Sequence, residues 1–191
     1  MSNTENISLF LRTNCPLSHK GLNELLSSFK QRVIPQNTII LKETETDRKL
    51  RFLNKGVIRE YYLNDHREVN INFYTKPRFI TDFSSFINTV KTKRNQQSLT
   101  DIELLELDRI PFFKLLEKYE CREEFRDLVF EQLLKIREMF EYNRVTKTPE
   151  ELYKELRIYK PEWLQEIPQY HIASYLGITP ETLSRIRRRI S

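Results

Sequence analysis

Glycine is scarce, with three residues in a chain of 191 and none between Gly56 and Gly177. That leaves no glycine-rich phosphate loop of the Walker type and no flexible Gly-rich linker. Cysteine is scarcer still. Cys15 and Cys121 stand far apart, neither in a CxxC pair, too few for a structural zinc site or a four-cysteine iron–sulfur cluster, and both read as reduced thiols. His19, His66 and His171 are isolated from one another, so no metal or haem ligand set is assigned and no cofactor is expected. GxSxG, HExxH and paired acids at fixed spacing are missing too, and on that reading the protein is not an enzyme and has no catalytic residue to name. No run approaches the roughly 18 uninterrupted apolar residues of a membrane span. Met1 to Arg12 lacks a basic segment followed by an apolar stretch and cleavage site, so the expected location is the cytoplasm.

What is present is a globular balance, 39% hydrophobic against 31% charged, with a net charge of +5 that permits a nucleic-acid partner without requiring one. The patterning changes at about residue 110. Before it, apolar residues alternate strictly in Glu68 to Phe73, and Val57 to Leu63 forms the other arm of a hairpin turning at Asn64-Asp65-His66-Arg67. Thr38 to Leu41, Leu50 to Leu53, Arg78 to Ile80 and Ser98 to Leu104 are further short strands, a spacing that suggests a barrel or sandwich. From Pro111 the period becomes helical. Phe125, Leu128, Val129, Gln132, Leu133, Ile136 and Phe140 fall three and four apart on a helix from about Arg122 to Asn143. Thr148 then caps a second helix that begins at Pro149 and runs to about Tyr159, and Pro161 ends or bends it.

The most informative stretch is Gln169 to Arg189, which reads as two helices about a tight turn. Ile172 and Leu176 share one face of the first helix, Ala173 is small where a second helix crosses, and Gly177 permits a left-handed turn. Thr179 is a good N-cap and Pro180 suits the first helical position, while Leu183, Ile186 and Ile190 form an inward stripe. Glu181, Ser184, Arg185 and Arg188 then face outward, in the half of such a helix that enters the major groove. Arginine can donate two parallel hydrogen bonds to guanine O6 and N7, and glutamate can accept one from cytosine N4. Glu181, Ser184 and Arg185 are therefore the expected base readers, and Thr179, Thr182, Arg187, Arg188 and Arg189 the expected phosphate contacts. A basic run alone could equally be a solvated helix; the small residue, glycine turn, cap and stripe in register favour DNA.

The run Ile167-Pro168-Gln169 through Ile172-Ala173-Ser174-Tyr175-Leu176-Gly177-Ile178-Thr179-Pro180-Glu181-Thr182-Leu183-Ser184-Arg185-Ile186 closely resembles the recognition motif of the Crp/Fnr family of bacterial transcription regulators. The resemblance implies an α+β chain with an N-terminal antiparallel β-roll of the jelly-roll, cyclic-nucleotide-binding type, a long dimerisation helix and a C-terminal helix-turn-helix. On that plan residues 1–120 are an effector-like roll, 121–145 the helix and 146–191 the DNA-binding domain. By motif match Glu181 and Arg185 correspond to the family's base-contacting pair, while Pro180 stands where many members have another arginine, which alters the expected half-site. Ser191 directly follows the recognition helix, so the bordering winged hairpin is expected to be shortened or rearranged.

Family members that bind cyclic nucleotides are expected to carry a Gly-Glu pair and, downstream, Arg-Ser or Arg-Thr, which neutralise the cyclic phosphate and hold the ribose. Here the comparable region reads Phe79-Ile80-Thr81-Asp82-Phe83-Ser84-Ser85-Phe86 and then Lys93-Arg94-Asn95-Gln96-Gln97-Ser98. Asp82 and Arg94 are the nearest substitutes in an effector pocket, but their flanks do not match, and the favoured reading is a capped helical turn without cyclic-AMP switching. The dimer seam is expected through Phe125, Leu128, Gln132, Leu133 and Ile136, although the same stripe could instead pack on the roll. Expected partners are double-stranded DNA bearing a palindromic operator, a second copy of the chain and RNA polymerase, with a small-molecule effector left open and no membrane. The rival reading is a cupin-like sensor or enzyme whose helical tail serves association.

Overall fold

The computed structural model describes residues 5–14, 17–65 and 67–190; Cys15 and His66 lie outside them. Two helices, α1 (Glu5–Asn14) and α2 (His19–Ser28), precede the strands β1 (Lys30–Ile34), β2 (Ile39–Leu41), β3 (Lys49–Lys55), β4 (Ile58–Asn64), β5 (Arg67–Tyr74) and β6 (Arg78–Phe79). A short α3 (Phe83–Asn88), β7 (Asn95–Ser98), β8 (Ile102–Asp108) and α4 (Arg109–Lys118) complete this half. Among the described residues the strands form two four-stranded antiparallel sheets, ordered β1-β8-β3-β6 and β2-β7-β4-β5. The hairpin read from the alternation is β4–β5, with Asn64 opposite Arg67 and Asp65 in the left-handed region at φ 45°.

The stretch expected as one strand from Ser98 to Leu104 is two. At Leu99 to Asp101 the chain leaves one sheet for the other, and its polar groups turn to Val57: Leu99 N donates to the Val57 carbonyl at 2.8 Å, and Val57 N donates to Thr100 Oγ1 at 3.0 Å. The apolar period of two breaks here, since Thr100 and Asp101 put two polar residues in a row between Leu99 and Ile102, and that break is the local mark of the corner. The same corner explains Gly56, which sits at φ 97° where an added Cβ would lie 2.5 Å from the Asp101 carbonyl oxygen.

Aromatic packing holds the roll to its flanking helices. Phe52 is fully buried, with Phe79 edge-on at 5.2 Å and Phe10 of α1 at 6.0 Å, and Phe112 of α4 meets Phe86 of α3 at 5.8 Å. Each buried ring removes roughly 150–250 Å² from water, so truncating Phe52 to alanine costs about 3–5 kcal/mol.

The remaining chain is helical: α5 (Arg122–Thr146), α6 (Pro149–Tyr159), α7 (Pro161–Glu166), α8 (Gln169–Leu176) and α9 (Pro180–Ile190). Pro161 does not merely end α6; it opens α7. The 25 residues of α5 extend about 37 Å, and its apolar stripe is divided. Phe125 and Val129 are buried in the roll's core with α4, and Leu133 packs partly against it, so this end of the stripe, including the seam candidates Phe125 and Leu133, packs on the roll as the alternative reading expected. Leu128 is half-buried, whereas Gln132 and Ile136 are exposed. Past Leu133 the helix overhangs the roll and leaves Ile136, Met139 (67% exposed) and Tyr142 uncovered, with Phe130 and Leu134 on a neighbouring side.

Candidate nucleic-acid interface

The C-terminal helices share a second core built from Tyr153, Leu156, Trp163, Ile167, Ile172, Ala173, Leu176, Leu183 and Ile186. Its local supports were written in the sequence. Thr148 and Glu151 form a reciprocal capping box at the start of α6, and the Thr148 hydrogen bonds hold the Glu151 carboxyl below its usual range. α8 ends at Gly177, φ 70°, where Gly177 N donates to the Ser174 carbonyl at 3.1 Å and Ile178 N to the Ala173 carbonyl at 3.0 Å. That is the left-handed cap the glycine permits. Thr179 then caps α9, its Oγ1 accepting from Thr182 N at 3.3 Å.

On α9, Leu183 and Ile186 point into the core with Ile190 half-covered, so Glu181, Ser184, Arg185 and Arg188 stand on the opposite, exposed side. The four outward residues are brought together as expected from their spacing. Arg185 Nη2 donates to Thr182 Oγ1 at 3.3 Å, which orients the guanidinium along the face. Glu181 is held below the ordinary carboxylate range by a backbone N–H, by the Thr179 hydroxyl and by Arg185, so it presents a charged acceptor. Arg187, Arg188 and Arg189 sit in the last turn, where positive charge suits the helix dipole. Arg189 is already paired with Glu150 of α6, which also pairs with Lys154 at 3.0 Å. Of the residues expected at phosphate, Thr179 and Thr182 thus serve the cap, Arg189 ties α9 to α6, and Arg188 is exposed beside Glu181, Ser184 and Arg185.

Sequence reasoning missed the contact between this helical module and the roll. Val57 and Phe73 belong to the module's core, and the Phe73 ring meets Trp163 edge-on at 4.9 Å. Asn70, His171 and Ser174 form hydrogen bonds beside it, and Lys76 pairs with Glu162 at 2.9 Å. His171, read as isolated, is isolated only along the chain: its partner lies 101 residues away.

In the roll, Asp82 and Arg94 do come together, linked through Thr92, whose Oγ1 donates to Asp82 Oδ2 at 2.6 Å and accepts from Arg94 N at 2.9 Å. Both are engaged internally. Asp82 caps α3, as the capped-turn reading expected, and Arg94 Nη1 faces the buried Glu60 carboxylate at 3.3 Å. Tyr74 Oη and Gln96 Nε2 also donate to Glu60, each at 3.1 Å. Cys121 is a buried free thiol with its pKa raised chiefly by desolvation. Among the described residues no group of three His, Cys, Asp or Glu is placed to hold a metal ion, and no helix is long and apolar enough to cross a membrane.

No family model matches the chain, and no curated protein matches it by sequence. Solved structures do match. The c-di-GMP-responsive global regulator CLP of Xanthomonas campestris superposes with a TM-score of 0.67 at 16% identity, over 91% of this chain and 91% of that one. A CooA variant from Carboxydothermus hydrogenoformans gives 0.65 at 16% identity over 92% and 86%, and the Thermus thermophilus catabolite activator protein 0.58 at 17% over 92% and 84%. At such identities the likeness is one of fold, and it covers most of the chain: the protein is α+β, with a cyclic-nucleotide-binding-domain-like roll followed by a C-terminal helical module.

Proposed function

We propose that the protein is a sequence-specific, double-stranded-DNA-binding transcription regulator of the Crp/Fnr type, acting as a homodimer on a palindromic operator. The observation that carries this reading is the outward face of α9, where Glu181, Ser184 and Arg185 stand exposed directly opposite the helix's buried stripe. A helix with that division can lie in the major groove while its module stays folded. Arg188 supplies phosphate contact from the same side. The motif resemblance and the shared architecture of known regulators point the same way.

Dimerisation is assigned to the overhanging half of α5. Gln132, Ile136, Met139 and Phe140 continue the stripe that Phe125 and Val129 bury against the roll, but the roll ends before it can cover them. A two-fold pairing there presents two equivalent reading helices to half-sites roughly 34 Å apart, one turn of DNA. Cyclic AMP is not the switch on this reading, because Glu60 already faces Arg94 and an anion brought beside that buried carboxylate meets repulsion as well as desolvation. Selecting duplexes from a random pool tests the function: an enriched palindrome bound in preference to random competitor supports it, and recovery of no preferred sequence refutes it.

A further inference from the structure

The helical module is held on the second sheet by α8 against β5. Asn70 N donates to Ser174 Oγ at 3.1 Å, and Ser174 Oγ donates to the Glu68 carbonyl at 2.9 Å. Asn70 Nδ2 reaches both His171 Nδ1, at 3.2 Å, and the His171 carbonyl, at 3.3 Å. Asn70 is 3% and His171 6% exposed, and Asn70 Oδ1 has no hydrogen-bond partner, so the contact depends on the few bonds it makes. Phe73 on Trp163 flanks it on one side and the Lys76–Glu162 pair lies at the rim.

The imidazole can serve this contact in only one charge state. An amide nitrogen is a donor, so His171 Nδ1 must accept, which a neutral ring does and an imidazolium cannot, since both its nitrogens carry hydrogen. We propose that the α8–β5 contact is a proton-releasable latch: neutral His171 keeps the DNA-binding module docked on the roll, and protonation lets it go.

The surroundings favour the neutral ring. Burial and the Arg59 guanidinium on β4 lower the His171 pKa from 6.5 to about 4, and Glu68 on β5, the charge acting the other way, is already paired with Arg59 at 2.5 Å. The Tyr170 ring, on the same helix as His171, lies tilted against the imidazole at 4.1 Å. Because the docked pKa lies below the free value, docking is full above pH 6.5, weakens as pH falls from there, and has lost the whole contribution near pH 4. A gap of that size weakens docking by on the order of a hundredfold. The other titrating groups at the contact leave this window clear. Desolvation opposes the Glu162 charge, but Lys76 brings its pKa below the usual range, while burial and then the Arg78 charge lower the pKa of Lys160, whose ammonium lies over the Trp163 ring, to about 8.

Trp163, the single tryptophan of the chain, reports the latch because it is buried against Phe73 of the roll. In the full-length protein its emission should shift to longer wavelength between pH 7.5 and 4.5 while far-ultraviolet circular dichroism stays constant. His171→Gln, which can accept the Asn70 hydrogen bond and does not titrate, should abolish the shift, and Asn70→Ala should show shifted emission already at pH 7.5. An unshifted wild-type spectrum at pH 4.5, or a transition of the same midpoint in His171→Gln, overturns the latch. Its consequence for DNA rests on the proposed function: wild-type affinity for a selected duplex should change across the same pH range, and that change should vanish in His171→Gln. A protein that binds no duplex at either pH contradicts DNA binding, whereas the emission experiment decides the latch independently.

Discussion

Arg185 and Arg188 share the exposed side of α9 and are expected to fail differently when removed. Arg185→Ala deletes a group able to bind guanine through two parallel hydrogen bonds and should weaken specific binding by about 1–3 kcal/mol per half-site while relaxing the preference at one base pair. Arg188→Ala should weaken all sequences alike and reduce the salt slope by about one unit; titrations of cognate and scrambled duplexes at several salt concentrations separate the two. In the roll, Arg94 is occupied by Glu60, so cyclic AMP should leave the melting temperature unchanged. A ligand bound at a hundred times its dissociation constant would stabilise the fold by about 2.7 kcal/mol, so saturable stabilisation would refute that expectation. The exposed face of α9 was legible because helical period alone decides which residues point away from Leu183 and Ile186. The role of Arg189 was not, because Glu150 lies 39 residues away and sequence spacing cannot show which helix α9 leans on.

Among the elements, the turn between α8 and α9 and the helix α5 make the clearest contrast. Gly177 lies at φ 70° in open space, with nothing within 4 Å of an added Cβ. Gly177→Ala should therefore cost about 1–2 kcal/mol through backbone strain alone, with Gly177→Asn costing less, as measured by chemical denaturation. This turn followed directly from sequence because cap, glycine and proline are local signals. For α5 a repeating apolar stripe revealed the helix but could not name its neighbour. Phe125 lies in the roll's core while Ile136 is exposed on the same stripe. Phe125→Ala should lower stability by about 3–5 kcal/mol, whereas Ile136→Glu with Met139→Glu should leave stability nearly unchanged and yield a monomer by sedimentation. A double variant that remains dimeric contradicts the assigned seam. Strands β3 to β6 were likewise visible as short apolar runs, but β1 was not: it is an edge strand with exposed side chains, and pairing with β8 defines it more than any pattern of its own.

At the scale of the molecule, two of the hydrophobic cores among the described residues cross the boundaries that a change in patterning suggests. The start of α5 belongs to the roll, while Val57 and Phe73 of the roll belong to the helical module. The orientation of α9 therefore depends on the sheet as well as on its own module, through contacts far from its exposed side chains. Loss of the Asn70 and Ser174 hydrogen bonds should alter affinity for DNA without altering which bases are preferred. The most direct measurement is duplex selection from a random pool with the wild-type protein and with Arg185→Ala, followed by competition against unrelated DNA at fixed salt. The expected result is a palindrome with half-sites one helical turn apart, bound roughly a thousandfold or more above competitor, whose consensus relaxes at one position per half-site in the variant. Equal affinity for selected and unrelated duplexes, or an Arg185→Ala consensus identical to the wild type, would contradict sequence reading by α9.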